Sequence, residues 1–438
     1  MTLAGAAGAP ALAQERPPSP PPARAAAAVA GTNAGEKARS VRGTEAFAPQ
    51  VPARAVAYRR TGYVLTVCRI GWGLLGLWLL LRSGLAARLR DVTRRRRRPV
   101  PAVGVARGAP TAAQVAWYFV ALSALSFVWS LPLSLAGLAR QHYFGFSRQS
   151  VVGHLGDALT QAAFGLLLIP IIWAAFRLRA RSPRHWWLWL WALATPLLFF
   201  RIVLDPVVFA PAYNRFVPLA PGPTRDRILE LAARAGITGG KVFVEDTSRR
   251  TTHVNAYVTG LGPTTRIVLN DTALDTLPED QLLAMVGHEM GHYVEGHIWV
   301  GFATGVLGLG VFLVALAVLV PRIQLRYGGA WRLDGRPDDL ALVPVVLLLT
   351  SLFLLLQAPV AGGISRTLER RADAFGLQIT GLAAANVRLF IGFAERDFSD
   401  PDPPRLYHLW FGTHPTLSER IAFARSFGRG GAAAPPAP

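Results

Sequence analysis

Residues 298–320 read IWVGFATGVLGLGVFLVALAVLV, and this stretch decides the fold class. It contains no charged residue and is longer than the about 20 apolar residues that a helix needs to cross the hydrocarbon core of a bilayer. Five further stretches are predominantly apolar: Gly62–Leu81, Gln114–Leu138, Leu159–Phe176, Trp186–Ala210 and Leu342–Val360. One such stretch can be a buried helix of a soluble protein, but six in one chain predict a mainly α-helical, polytopic membrane protein.

The composition agrees with a membrane protein and excludes several other classes. The chain has 438 residues, with 46 Lys+Arg against 26 Asp+Glu and a net charge of +20, yet 52% of its residues are hydrophobic. A basic chain often binds nucleic acid, but this chain is unusually apolar for such a protein and contains no nucleic-acid-binding motif. We therefore predict no nucleic-acid partner. A single cysteine, Cys68, excludes a disulfide scaffold.

Arginine residues cluster in three of the predicted loops and indicate the orientation of the spans. They are Arg82, Arg88, Arg90, Arg94–Arg98 and Arg107 in the first loop, Arg177, Arg179, Arg181 and Arg184 in the third, and Arg322, Arg326, Arg332 and Arg336 in the fifth. Positive charge is enriched in cytoplasmic loops, and with six spans these three loops share a side. The segment after the fourth span is then expected outside. Within that span, Arg201 and Asp205 are predicted to pair and to face protein or water.

The segment between the fourth and fifth spans contains His288-Glu289-Met290-Gly291-His292 in a predicted helix, Gln281–Val294. Residues four apart share a helix face, so both imidazoles can bind one zinc ion, and Glu289 lies beside them to take a proton from water. The alternative is a pair of ordinary histidines on a surface helix. Upstream we predict an amphipathic helix and three short strands: Thr224–Ala235, then Lys241–Val244, Val254–Val258 and Arg266–Leu269.

A second helical pair of side chains follows the sixth span. A catalytic zinc ion usually has three protein ligands and one open position. Glu369 and Asp373 are four residues apart and share a helix face. One of them can bind zinc while the other hydrogen-bonds a ligand histidine or the reacting group. On spacing alone, a charged surface helix with Glu–Arg pairs is the alternative.

The order of these motifs resembles the integral-membrane zinc proteases of the type 1 CAAX prenyl protease family. The matching segments are Tyr213-Asn214-Arg215-Phe216, Ser248–Tyr257, Arg266–Leu269 with Asp271-Thr272, the HExxH helix, Glu369 with Asp373, and His414-Pro415 with Glu419-Arg420-Ile421. They cover Trp186–Ala424, and the earlier spans resemble the family more loosely. The resemblance implies a ring of membrane helices around a water-filled chamber, capped by a small α+β zinc-protease domain of the gluzincin-like type.

The resemblance also implies roles for single residues. Glu369 becomes the third ligand beside His288 and His292, with one Zn²⁺ per chain, and Asp373 becomes a neighbouring catalytic or supporting acid. Asn255 would lie on an edge strand that pairs with the substrate backbone. The other substrate-binding candidates would border the cleft: His253, His414 and Arg420. The expected reaction is hydrolysis of a peptide bond by water that Glu289 activates, without a covalent intermediate.

On these grounds the chain divides into six segments. They are an Ala/Pro-rich tail with a signal-like site at Ala11-Leu12-Ala13 (1–61), four transmembrane helices (62–211), the zinc-protease domain with the HExxH helix (212–297), two transmembrane helices (298–363), a helical segment with the third zinc ligand and the His-Pro motif (364–428), and a disordered tail (429–438).

Two features depart from the family pattern. Typical members have seven spans and a zinc domain that faces the cytosol, whereas here we predict six spans in the inner cell membrane and a charge pattern that places the domain outside. The predicted partners are the bilayer and a polypeptide substrate, and a lipid-modified C-terminal peptide is implied by the resemblance alone. Two alternatives stay open: a metalloprotease for quality control of membrane proteins, and a non-enzymatic protein with a structural zinc ion, which would not need Glu289.

Overall fold

The computed structural model describes Pro49, residues 51–95 and residues 109–429, and these residues are mainly helical. In chain order the helices and strands are α1 (Ala53–Arg82), α2 (Leu85–Arg95), α3 (Ala112–Phe144), α4 (Val151–Leu166), α5 (Ile169–Arg181), α6 (Trp186–Leu204), β1 (Phe216–Pro218), α7 (Pro223–Arg234), β2 (Lys241–Glu245), β3 (Ala256–Thr259), β4 (Arg266–Asn270), α8 (Asp271–Thr276), α9 (Glu279–Val294), α10 (His297–Trp331), α11 (Val343–Thr380), α12 (Ala383–Glu395), α13 (Arg405–Phe411) and α14 (Leu417–Gly428). The signal-like site, Arg96–Arg98, Arg107 and residues 430–438 lie outside the described residues.

Six helical segments in the described part of the chain are long and apolar enough to cross a membrane, which confirms the predicted polytopic fold. The third is interrupted. It consists of α4 and α5, which meet at Leu167 and Leu168, and Pro170 lies in the first turn of α5. Proline has no N–H to donate to the preceding turn, so the helix breaks there. The fourth continues from α6 into a π-helical turn, Asp205–Phe209, which contains Pro206. Arg201 and Asp205 form the predicted ion pair.

The expected tail boundary at residue 61 is wrong, because α1 already begins at Ala53. Its first turns carry charged and aromatic side chains that contact the C-terminal part of the chain. The Arg59 guanidinium donates to the carbonyl oxygens of Phe398 at 2.9 Å and of Ser399 at 2.6 Å. The Tyr63 hydroxyl donates to Asp400 at 2.6 Å. These contacts attach the first membrane helix to the segment after α12, so the helix extends beyond its apolar stretch.

The three arginine-rich loops lie together at one end of the bundle. Arg90 donates to Asp339 at 2.9 Å, and Arg94 donates to Asp334 at 2.6 Å. Arg179 lies close enough to Asp338 for their charges to interact. The first, third and fifth loops therefore share a side, as the count of six spans predicted. The 35 residues of α10 place this end about 50 Å from the beginning of that helix.

The membrane helices enclose a cavity of about 1050 Å³ between α1, α3, α4 and α11. Aromatic, serine and amide side chains line it, among them Trp72, Trp129, Ser126, Gln161 and Ser351. Trp72 and Trp129 stack at 4.4 Å between ring centroids and donate to each other's backbone carbonyl oxygens. The bundle thus contains a partly open cavity beside its packed apolar clusters.

A four-stranded sheet of order β1-β2-β4-β3 lies between the fourth and fifth spans. β2 and β4 are parallel, and β1 and β3 are the antiparallel edge strands. The three predicted strands are present with ends shifted by one or two residues, and the short β1 was not predicted. Buried apolar residues of β4, α7 and α9 form the core below the sheet, including Ile228, Ile267, Leu269, Val286 and Met290.

The helix pair α9 and α11 crosses at an unusually short distance. A Cβ on Gly376 would lie 2.8 Å from the backbone nitrogen of His288, and a Cβ on Gly291 would lie 3.0 Å from the Cα of Ala372. Only glycine permits this approach, so the two helix backbones meet directly. Because α11 runs unbroken from Val343 to Thr380, the expected boundary at 363/364 falls inside one helix. The sixth span therefore carries Glu369 rigidly into the domain.

Candidate metal centre

The HExxH residues lie in α9, which begins after Pro278 with two acidic residues, Glu279 and Asp280, in its first turn. Acidic side chains at this position stabilise the positive end of the helix dipole. One turn separates His288 from His292, and the two Nε2 atoms are 3.1 Å apart. The predicted sharing of one helix face is therefore present.

Glu369 of α11 faces this histidine pair. Its carboxylate oxygens lie 3.3 Å from the Nε2 atom of His288 and 3.3 Å from that of His292. His288, His292 and Glu369 form a group of metal-ligating side chains whose ligand atoms all lie within 4.8 Å of one another.

The spacing within this group fits a zinc ion. Donor atoms at about 2.0–2.1 Å from a tetrahedral zinc ion are about 3.3 Å apart, close to the separations found here. The Oε2 atom of Glu369 is buried and has no hydrogen-bond partner among the described residues, and a cation between the three side chains would provide one. Two imidazoles and one carboxylate are a donor set that suits a divalent metal ion such as zinc.

Asp373 lies behind His288, on the side away from Glu369. Its Oδ1 atom is 2.8 Å from the Nδ1 atom of His288. Burial acts to lower the pKa of His288, but the hydrogen bond with Asp373 and the negative charge of that carboxylate outweigh burial and raise the pKa to about 9. A carboxylate that holds the second nitrogen of a ligand histidine fixes its tautomer and ring orientation. Of the two roles that the resemblance implies for Asp373, these contacts favour the supporting one.

Arg420 of α14 is buried against Asp373 and does not face the cleft. Its Nε and Nη2 atoms donate to the two carboxylate oxygens at 2.9 and 2.6 Å. The guanidinium also lies over the Phe390 ring at 4.3 Å. This planar two-point contact holds the aspartate. The role of Arg420 at the substrate stays a prediction.

Glu289 is half-buried beside the two histidines. Burial raises the pKa of its carboxyl group above the ordinary value, and the neighbouring histidines oppose that effect. A carboxylate whose charge is poorly solvated is a stronger base than one in free water. Its position next to the ligand group matches the prediction from the motif.

The three remaining predicted residues lie at different distances from the ligand group. His414 adjoins it, with its Nε2 atom 3.4 Å from Oε2 of Glu369, and its side chain is exposed. His253 stacks on Phe146 at 4.6 Å and contacts Asp397, so its recorded partners are outside the group. Asn255 is exposed and immediately precedes the edge strand β3, where its carbonyl oxygen accepts from the Asn270 amide at 3.0 Å.

Two contacts around the site were not predicted from the sequence. His297 lies against His292, with their Nδ1 atoms 2.8 Å apart. Arg250 donates to both oxygens of Asp157 at 2.7 and 2.8 Å, which ties the segment before β3 to the membrane helix α4. The signal for His297 was its place one residue after Gly296 at the end of the HExxH helix. No local signal links Arg250 to Asp157, because 93 residues separate them.

Family models, curated relatives and a solved structure all match this chain. A family model described as peptidase family M48 matches residues 222–427, and one described as the CAAX prenyl protease N-terminal region with five membrane helices matches residues 43–215. The Bacillus subtilis metalloprotease YhfN is 34% identical over 71% of this chain and 73% of its own length. CAAX prenyl protease 1 of Saccharomyces cerevisiae is 30% identical over 71% of this chain and 72% of its own length. The crystal structure of S. mikatae Ste24p covers 91% of this chain and 97% of its own, with a TM-score of 0.74 at 22% identity, which shows the shared fold.

A multi-pass helical bundle whose last span delivers a glutamate to an HExxH helix defines an integral-membrane metalloendopeptidase. The chain belongs to peptidase family M48, in the type 1 CAAX prenyl protease group.

Proposed function

We propose that the protein binds one zinc ion through His288, His292 and Glu369 and hydrolyses peptide bonds in polypeptides at the membrane. The observation that carries the proposal is the group of three donor atoms, two 3.3 Å separations and one of 3.1 Å, with an orphaned carboxylate oxygen of Glu369 among them. When bound, zinc would supply Lewis-acid activation of the scissile carbonyl and of a water molecule.

The chain's own residues supply the remaining chemistry. Glu289 takes a proton from the attacking water and later delivers it to the leaving amine, and its raised pKa makes it a better base at neutral pH. Asp373 keeps the Nδ1 hydrogen on His288 and leaves the Nε2 atom free to bind metal. His414, exposed beside Glu369, is positioned to donate to a substrate carbonyl at the open side.

The substrate backbone is proposed to pair with β3. This strand is at the edge of the sheet, pairs with β4 on one side and with no other strand of the described residues, and follows the exposed Asn255. An extended peptide can add to such an edge through main-chain hydrogen bonds. We propose a C-terminal segment of CAAX type, carrying a lipid, as the substrate class, because relatives across most of the chain bear the name CAAX prenyl protease 1.

The test of the chemistry is Glu289→Gln in the purified full chain. The variant is expected to bind one zinc ion with wild-type affinity and to lose 10²-fold or more of the hydrolysis rate, since general-base catalysis contributes about 10²–10⁴-fold. Retention of full activity would contradict the proposal. Assays on a farnesylated CAAX peptide, its unmodified counterpart and an unmodified membrane protein separate the proposed substrate class from quality-control proteolysis.

We also propose that the metal centre lies on the side of the cell membrane that faces away from the cytoplasm. The arginine-rich end of the bundle supports this orientation, because positive loops favour the cytoplasmic side. Thiol labelling of single cysteines introduced at Asp275 and at Arg336 in intact cells, in a Cys68→Ser background, measures the sidedness of the two ends. Label access at position 336 but not at 275 would reverse the proposed orientation.

A further inference from the structure

One histidine outside the HExxH motif lies at the junction of α9 and α10, next to the second histidine of the motif. His297 is the first residue of α10, and it is buried, with 6% of its surface exposed. Its Nδ1 atom lies 2.8 Å from the Nδ1 atom of His292, and the two ring centroids are 4.9 Å apart. The second nitrogen of the ligand His292 therefore has a dedicated partner, as His288 has in Asp373.

The chemistry of imidazole decides which ring donates. The Nε2 atom of His292 points at His288 and Glu369, so metal binding requires a free lone pair there. Neutral His292 then carries its hydrogen on Nδ1 and donates it. His297 must accept with its own Nδ1 lone pair and carries its hydrogen on Nε2. That Nε2 atom is buried and has no hydrogen-bond partner among the described residues.

We infer that His297 is a positioning residue that holds His292 in the metal-binding tautomer and orientation by accepting its Nδ1–H. The inference rests on the zinc site of the proposed function. It assigns the two ligand histidines different supports: a carboxylate for His288 and a neutral imidazole for His292. An unpartnered buried N–H is unfavourable by itself. The hydrogen bond that the Nδ1 atom of His297 accepts from His292 therefore explains why His297 keeps an unpartnered hydrogen on Nε2.

The backbone between the two histidines permits this contact. Gly296 has φ 66°, in the left-handed region, and it connects the end of α9 with the beginning of α10. The chain reverses direction sharply enough for His297 to fold back onto His292, five residues earlier. The first residue of the fifth span thereby contacts a metal ligand, which couples the placement of that span to the metal site.

The experiment measures zinc affinity of the full chain in detergent by competition with a chromophoric chelator. His297→Leu removes the acceptor and is expected to weaken zinc binding about 10–100-fold, the usual effect of losing such a partner. His297→Asn keeps an acceptor oxygen close to the position of Nδ1 and is expected to bind zinc nearly as well as the wild type. His185→Leu, an exposed histidine at the arginine-rich end, is the matched control and should leave the affinity unchanged.

Two results would overturn the inference: wild-type affinity in His297→Leu, or equal weakening in His297→Leu and His297→Asn. If the leucine variant does not fold, His297→Met serves as the acceptor-poor variant. The unfolding midpoint of each metal-free protein gives the second readout. The decrease in this midpoint should not parallel the decrease in zinc affinity among the variants. Failure of the wild type to bind zinc would instead contradict the proposed function.

Discussion

Two buried arginine–aspartate pairs lie at opposite ends of this molecule and look alike until their third partners are considered. Arg90 and Asp339 have side chains that are 8% and 0% exposed, and Arg420 and Asp373 have side chains that are 8% and 5% exposed. At the arginine-rich end, Asp339 also accepts from the backbone amides of Asp334 and Ala341, both at 2.9 Å. At the metal end, Asp373 contacts the Nδ1 atom of His288 instead.

The difference teaches how one interaction serves structure in one place and chemistry in another. A buried ion pair is costly to desolvate and does not by itself indicate a function. Asp339 uses its second oxygen to cap a loop, so its effect stays in the backbone. Asp373 accepts from Arg420 with both oxygens, and its Oδ1 atom also contacts the Nδ1 atom of His288, so its effect is transmitted to the opposite nitrogen of the ring, which faces Glu369.

The largest expected effect is on stability at the arginine-rich end. Asp339→Asn removes the only fully buried carboxylate that pairs with Arg90 among the described residues and leaves it the more exposed Asp91 and Asp334, which should lower the free energy of unfolding by about 3 kcal/mol. Zinc affinity should not change, because the pair is a helix length away from His288. Chemical unfolding in detergent and a chelator competition measure the two quantities. A matching loss of zinc affinity would mean that the two ends are not independent.

The counterpart at the metal end is Asp373→Asn. It should destabilise the fold for the same reason, since Arg420 loses its counter-charge. Unlike Asp339→Asn, it should also weaken zinc binding about 10–100-fold, because an amide holds the Nδ1–H of His288 less well. Asp275→Asn, which removes an exposed carboxylate, is the charge control. Unchanged zinc affinity in Asp373→Asn would mean that the Arg420–Asp373 pair has only a structural role, as the Arg90–Asp339 pair has.

The sequence predicted the parts of this site that depend on local spacing and missed those that depend on tertiary contact. His288 and His292 share a face because they are four residues apart, and Glu369 with Asp373 could be paired for the same reason. Spacing did not tell which acid lies beside the Nε2 atoms of both histidines, the place that Glu369 takes. The choice is made by the crossing of α9 and α11, where glycines bring the backbones together. The burial of Arg420 depends on α14, so its contact with Asp373 was beyond any local pattern.

Fold predictions failed for comparable reasons. Apolar character located all six spans, but it placed the start of the first one too late. Arg59 and Arg60 interrupt the apolar pattern, and the partners of Arg59, Phe398 and Ser399, are more than 300 residues away in the sequence. The strand β1 was missed because three residues carry no readable alternation, and it exists through pairing with β2.

The pH dependence of zinc binding offers a smaller and more specific test of the comparison. Burial lowers the pKa of His288, but the hydrogen bond with Asp373 outweighs it and raises the pKa to about 9 in the metal-free protein. Zinc must then displace a proton at any pH below that value. Affinity should rise about tenfold per pH unit between about pH 6 and pH 8. In Asp373→Asn the pKa falls and the slope should flatten, whereas an unaltered slope would show that Asp373 does not control the proton.

The smallest expected effect concerns a third pair of an arginine and a carboxylate, which is exposed, whereas the pairs Arg90–Asp339 and Arg420–Asp373 are buried. Arg227 and Glu279 are 2.9 Å apart, and their side chains are 60% and 35% exposed. Water already solvates both charges, so Arg227→Met should change the free energy of unfolding by only about 0–1 kcal/mol, and the change should shrink further in high salt. The same unfolding assay applies, with Asp339→Asn as the reference. If Arg227→Met cost as much as Asp339→Asn, burial would not be what separates these pairs, and the stability assigned to the arginine-rich end would need another cause.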